Sequence, residues 1–132
     1  MSELLNNLHI NSILRKSRTT RSDLEKLLKK LNINGSIDWQ ADFDPKIPAQ
    51  VLNLGNGILG GTHWVAVDNL NKRYFDSFGQ VPPPIIPKSY EWYPLQIQDP
   101  DYGHCGQYAA LFLYYSKKNE LDQFFNLFTE GK

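Results

Sequence analysis

Leu24, Leu27, Leu28 and Leu31 recur at the spacing of one helical face in the stretch SDLEKLLKKLNING, which predicts an amphipathic helix. Ser22 and Glu25 stand three apart at its start in the manner of a capping box, and Asn34-Gly35 marks its end. Ahead of it, Leu4, Leu5, Leu8 and Ile13 form a weaker stripe of the same kind. The following DWQADFDPKIP is polar, carries two prolines and reads as a loop. From Gln50 the pattern changes. QVLNL is a short strand and GNGILGG a flexible connection. THWVAVD and RYFDSF are β-rich runs joined by NLNK, the arrangement of a hairpin. GQVPPPIIP is a stiff extended connection, and WYPLQIQ reads as a further strand. GQYAALFLYYSK is helical and apolar nearly all round, so it belongs in the interior. NELDQFFNLF is a final amphipathic helix.

That order predicts an α+β fold in which an antiparallel-rich central sheet is packed between helices. No repeat or shift of composition divides residues 1–132, so a single domain is expected, of a length that buries a core without staples. Fourteen basic and fourteen acidic residues cancel, which removes a general attraction to nucleic acid or membrane. One segment departs from this balance. Arg15, Lys16, Arg18 and Arg21 lie close together in RKSRTTR, as in a solvated linker or a nucleic-acid arm. The stretch MSELLNNLHINSILRKSRTTR does not read as a secretory leader, no apolar run in this sequence reaches membrane-spanning length, and a single cysteine excludes an internal disulfide. A monomeric, intracellular protein in a reducing compartment is expected.

Cys105 is the residue on which chemistry can be built. It falls at or beside the first turn of the buried helix, where unpaired N–H groups and the helix dipole favour a thiolate. Gly103 and Gly106 flank the pair His104-Cys105 and leave room for a substrate backbone. A cysteine nucleophile needs a base, and His63, inside the strand THWVAVD, is the candidate. His104 is the rival, though adjacent side chains usually point apart, and His9 lies in the uncertain N-terminal segment. Asp76 interrupts an aromatic run between Phe75 and Phe78, where a carboxylate needs a partner, and an imidazole N–H would supply one. Asp68 is the alternative, expected at the hairpin turn and facing solvent. Gln98, seven residues before Cys105, could donate to an oxyanion together with the Cys105 N–H. An inert buried cysteine and a structural histidine are the bland alternatives. A metal site of Cys105, His63, His104 and Asp76 is a further one, disfavoured by the lack of paired-ligand spacing.

GTHWVAV, YFDSFG, IQDPDYGHCG and the helix that follows resemble the adenovirus maturation protease (adenain) family and the related SUMO-protease-like cysteine peptidases. The resemblance covers roughly residues 50–117. It includes the chain order His63, Asp76, Gln98, Cys105 and the His63-Trp64 pair, and it is closest to maturation proteases of adenovirus-like virophages and Polinton-type elements. It implies a papain-like cysteine peptidase core of the adenain type. It implies a catalytic set of Cys105 as nucleophile, His63 as base, Asp76 as its orienter and Gln98 as oxyanion donor, with Trp64, Gly61 and Gly106 toward the substrate. Cleavage of capsid precursor proteins in a virion or infected cell follows, without a cofactor or metal. DNA is a candidate activator, with Arg15, Lys16, Arg18 and Arg21 as contacts. The acidic member is Asp, as in the SUMO proteases, where the adenoviral enzyme has Glu. Removal of a ubiquitin-like protein, or binding without catalysis on the same scaffold, are the alternative functions.

Overall fold

A computed structural model describes residues 20–56, 62–94, 96 and 105–127. The order of elements is α1 (Arg21–Lys30), β1 (Ser36–Trp39), a 3-10 turn (Gln40–Asp42), β2 (Ala49–Asn56), β3 (Thr62–Asp68), β4 (Arg73–Phe75), β5 (Glu91–Trp92), α2 (Cys105–Lys117) and α3 (Leu121–Asn126). The fold is α+β, built on one five-stranded sheet in the order β1-β2-β3-β4-β5. The sheet is mixed. Its central pairs β2–β3 and β3–β4 are antiparallel, and the outer pairs β1–β2 and β4–β5 are parallel.

Strand alternation gives the sheet two apolar faces. Ile37, Val51, Trp64, Ala66 and Phe75 point to the face where α1, α2 and α3 contribute Leu24, Leu28, Ala110, Leu113 and Phe124. Leu52, Val65, Val67 and Tyr74 point the other way, onto Ile86, Phe43, Tyr90 and Trp92. Among the described residues the sheet is therefore not packed between helices. All three helices share one face, and non-helical segments with the short β5 cover the other. The proline-rich stretch supplies part of that cover, because Ile86 is buried there without needing a helix.

The apolar circumference of α2 is explained by its position between the sheet and the other two helices. Its Phe112 stacks on Phe75 of β4 at 4.7 Å, and Phe124 of α3 meets both rings edge-on. Removing such a ring typically costs about 3–5 kcal/mol. At its C-terminal end α2 is tied to the hairpin. The Ser116 hydroxyl donates to Asp68, and Arg73 donates to the Ser116 hydroxyl at 3.1 Å. Asp68 also accepts from the backbone of Leu70 and Asn71, so it is buried at the turn and does not face solvent as expected. These bonds fix how far along the sheet α2 lies, and with it the place of Cys105 at the helix's other end.

Helix α1 begins earlier than the Ser22 and Glu25 pair suggests. Thr20 is its N-cap: the Thr20 hydroxyl accepts from the Asp23 N–H at 3.1 Å, and the Asp23 carboxylate accepts from the Thr20 N–H. Asp23 in the first turn also suits the helix dipole, while Glu25 pairs with Arg21 along the surface. The helix stops at Lys30, because Asn32 takes a left-handed φ of 59° that asparagine tolerates. Gly35 serves a different purpose. A Cβ there would lie 2.6 Å from the carbonyl oxygen of Ala49, so only glycine lets the chain enter β1 this close to β2. Strand β1 runs into the start of the stretch expected to be a loop, at Asp38 and Trp39. Only Ile37 of its four side chains is buried, which is too little alternation to recognise. The strand expected over WYPLQIQ shares only Trp92 with the observed β5, and its Leu95, Ile97 and Gln98 lie outside the described residues. The helical stripe expected over Leu4–Ile13 lies outside the described residues.

Candidate active site

The β3–β4 hairpin brings a histidine and a carboxylate together at one end of the sheet. His63 is the second residue of β3, and Asp76 follows the last residue of β4. His63 Nε2 and Asp76 Oδ1 are 2.8 Å apart, with both side chains buried. Asp76 sits just beyond the strand, in a turn closed by the Gly79 N–H donating to the Asp76 carbonyl at 2.8 Å. Gly79 has a φ of 72°, a conformation that glycine enters without strain. The turn points the Phe78 N–H back at Asp76 Oδ1, also at 2.8 Å. One carboxylate oxygen thus accepts from both the imidazole and the backbone, and this bonding holds a buried charge in place.

Cys105 arrives from the other direction as the first residue of α2. Its sulfur accepts the Trp64 N–H at 3.4 Å, so it lies against the residue that follows His63. With Nε2 committed to Asp76, Nδ1 is the nitrogen left to face the sulfur. Nδ1 is buried and has no formed hydrogen bond among the described residues. The sulfur nevertheless lies near enough to act on the ring. Burial alone would lower the proton affinity of His63. The Asp76 hydrogen bond and then the neighbouring Cys105 outweigh that effect and push its pKa up from 6.5 to about 9. At neutral pH the arrangement favours an imidazolium between a carboxylate and a sulfur. Tyr74, two residues before Asp76, is shifted upward by burial and then by the charge of Asp76.

The structure therefore brings three of the expected residues together: His63, Asp76 and Cys105. Gln98, Gly61 and His104 lie outside the described residues, as do His9, Arg15, Lys16 and Arg18. Trp64 was expected to face the substrate. Its side chain is instead buried in the helix-side core, and its backbone amide is what meets the sulfur. Gly106 is buried in α2 directly after Cys105. Cys105 is 6% exposed and His63 3%, so both residues are almost fully screened from solvent. Screening of this kind strengthens the electrostatic coupling among them.

The residue that sequence reasoning passed over is Phe78. Its ring lies flat on the His63 imidazole, with centroids 4.3 Å apart and planes 2° from parallel. The available signal was an aromatic two places after the acidic residue in FDSF. Among the described residues, no three His, Cys, Asp or Glu side chains converge to hold a metal ion.

No protein-family model matches the chain, and neither a curated protein nor a solved structure does. Among the described residues no helix is long and apolar enough to cross a membrane.

Proposed function

We propose that the chain is a cysteine endopeptidase with a papain-like core. The observation that carries this is the meeting of Cys105, at the start of a buried helix, with a His63 whose far nitrogen is fixed by Asp76. An oriented, proton-retaining imidazole beside a buried thiol is the kind of perturbed pair that gathers at functional sites.

In the proposed reaction Cys105 passes its proton to Nδ1 of His63, giving a thiolate beside an imidazolium. The helix N-terminus and the Trp64 N–H both favour the negative sulfur. The thiolate attacks the scissile carbonyl, and the Cys105 N–H with the Gln98 amide receives the oxyanion, Gln98 being taken from the sequence resemblance. His63 protonates the leaving amine, which departs and leaves an acyl-enzyme. His63 then draws a proton from water as that water attacks the thioester; the C–S bond breaks, the carboxylic acid product leaves, and the Cys105 thiolate is restored beside the imidazolium. Asp76 transfers no proton. It holds the tautomer and plane of the ring and balances its charge.

The resemblance of GTHWVAV, YFDSFG and IQDPDYGHCG to adenain-like proteases directs the substrate assignment to capsid precursor proteins of a DNA virus. The site of action is then the virion or the infected cell. A monomer acts on an extended protein segment, with DNA as a candidate activator. The test is incubation of the full chain with candidate capsid precursors and, separately, with a ubiquitin-like precursor, reading cut sites by mass spectrometry. Cuts in the capsid precursor that vanish with Cys105→Ala support the proposal. Cuts only in the ubiquitin-like precursor move the substrate class, and cuts that survive Cys105→Ala refute the nucleophile.

A further inference from the structure

We infer that Phe78 is a positioning residue for the catalytic base: its ring clamps the plane of His63 and favours the charged, proton-donating form of the imidazole. This role rests on the peptidase proposal and goes beyond it, because none of the four expected catalytic roles falls to an apolar side chain.

The geometry is a closed loop of three residues. Asp76 Oδ1 accepts from the edge of the imidazole at 2.8 Å and from the Phe78 backbone at 2.8 Å. The same turn, closed by the Gly79 N–H on the Asp76 carbonyl, lays the phenyl ring over the imidazole face at 4.3 Å and 2°. Edge and face are therefore both held by one short segment, residues 76–79. Rotation of the imidazole about its own axis would break the Asp76 bond and drive the ring edge into the phenyl face. Nδ1 is kept toward the sulfur as a result.

The parallel stack has an electrostatic consequence. Two neutral rings prefer an offset or edge-to-face contact, since like faces repel. A cation over a phenyl face is attracted by the negative π cloud. Offset stacking of this kind also serves neutral rings, as at Phe75 and Phe112, but the contact strengthens when the imidazole carries its proton, because the added positive charge then lies against the phenyl face. It adds to Asp76 and Cys105, the ionisable groups whose influence on the ring is resolved. Phe78 is only half-buried, so its place is not explained by core burial alone.

The test uses alkylation of Cys105, which requires no knowledge of the substrate. Rates with neutral iodoacetamide and anionic iodoacetate are measured from pH 5 to 10 for the full chain and for Phe78→Leu, Phe78→Tyr and His63→Ala. The iodoacetate-to-iodoacetamide ratio reports the charge on the imidazole. In Phe78→Leu, the iodoacetamide rate at pH 7 is expected to fall about three- to tenfold, and the iodoacetate preference to be lost at a lower pH. Phe78→Tyr, which keeps the π face, should restore both. Unchanged rates and ratio in Phe78→Leu overturn the inference while leaving the peptidase proposal intact. If His63→Ala also leaves the rate unchanged, the peptidase proposal itself fails. Proton NMR of the unsubstituted protein provides a reading that does not depend on any variant folding. His63 ring protons under a parallel phenyl must resonate upfield of their ordinary positions, and ordinary positions overturn the clamp.

Discussion

The Trp64 N–H points at the sulfur of Cys105 from 3.4 Å, across 41 positions of the chain. This contact locks the first residue of α2 against the residue following His63. It makes the distance between the sulfur and the imidazole a property of the sheet–helix packing and not of a loop. Substitutions at the site should therefore alter chemistry without dismantling the fold, whereas substitutions in the sheet–helix packing should weaken both.

Asp76→Asn tests the orienting carboxylate. The amide oxygen can still accept from His63 Nε2, but the charge that holds a proton on the ring is gone while burial, which lowers its proton affinity, remains. Peptide hydrolysis at neutral pH should fall about tenfold to a hundredfold, short of the loss caused by Cys105→Ala. The alkaline limb of the pH–rate profile should move to lower pH. A full-activity Asp76→Asn enzyme with an unshifted limb would contradict the assigned role.

The stability of the protein should depend on pH through the same histidine. The folded His63 holds its proton to about 9, against 6.5 unperturbed. A raised pKa contributes stability that is complete below pH 6.5 and is lost as pH rises through 9. The difference corresponds to roughly 3 kcal/mol. Measured on Cys105→Ala, where no thiol proton offsets that of the imidazole, thermal melting from pH 6 to pH 9.5 should show a falling midpoint, and adding His63→Gln should flatten that slope. Equal slopes in the two proteins would remove His63 as the linked group.

The sequence carried the hairpin and the buried helix because their patterns are strong: THWVAVD holds a continuous apolar, β-rich run bounded by polar residues, and GQYAALFLYY is apolar on every side. From those two elements the meeting of His63, Asp76 and Cys105 could be anticipated. The order of residues carried less about edges and caps. Strand β1 buries one side chain, so its pairing is set by the tertiary contact between Gly35 and Ala49 and not by local pattern. Thr20 with Asp23 and Ser22 with Glu25 have the same spacing, and only the helix start distinguishes them. Phe78 went unassigned because stacking depends on the turn after Asp76, which the chain's polarity does not encode.

Gly35→Ala should destabilise the protein by about 1–3 kcal/mol, since the added Cβ meets backbone that cannot swing aside. Chemical denaturation measures this, and Cys105 alkylation in the folded variant should stay at the level of the unsubstituted protein. A neutral Gly35→Ala would mean that β1 and β2 are not held this close.

Ser116→Ala tests whether the hairpin sets the position of the nucleophile. It removes the hydroxyl that joins Asp68 and Arg73 to α2 and leaves a buried Asp68 oxygen with one donor fewer. A loss of about 1–3 kcal/mol in stability is expected. Peptidase activity should fall with it, although Ser116 is at the opposite end of the helix from Cys105. Lost stability with fully retained activity would separate the tether from the site.

The most direct test of proton sharing between Cys105 and His63 is the rate at which iodoacetamide modifies Cys105 at pH 6, with and without His63. On the proposed thiolate–imidazolium pair, the unsubstituted protein should react at least tenfold faster than His63→Ala. In His63→Ala the rate should rise only as an ordinary thiol ionises. Equal rates at pH 6, with both proteins folded, would mean that the sulfur and the imidazole do not share a proton.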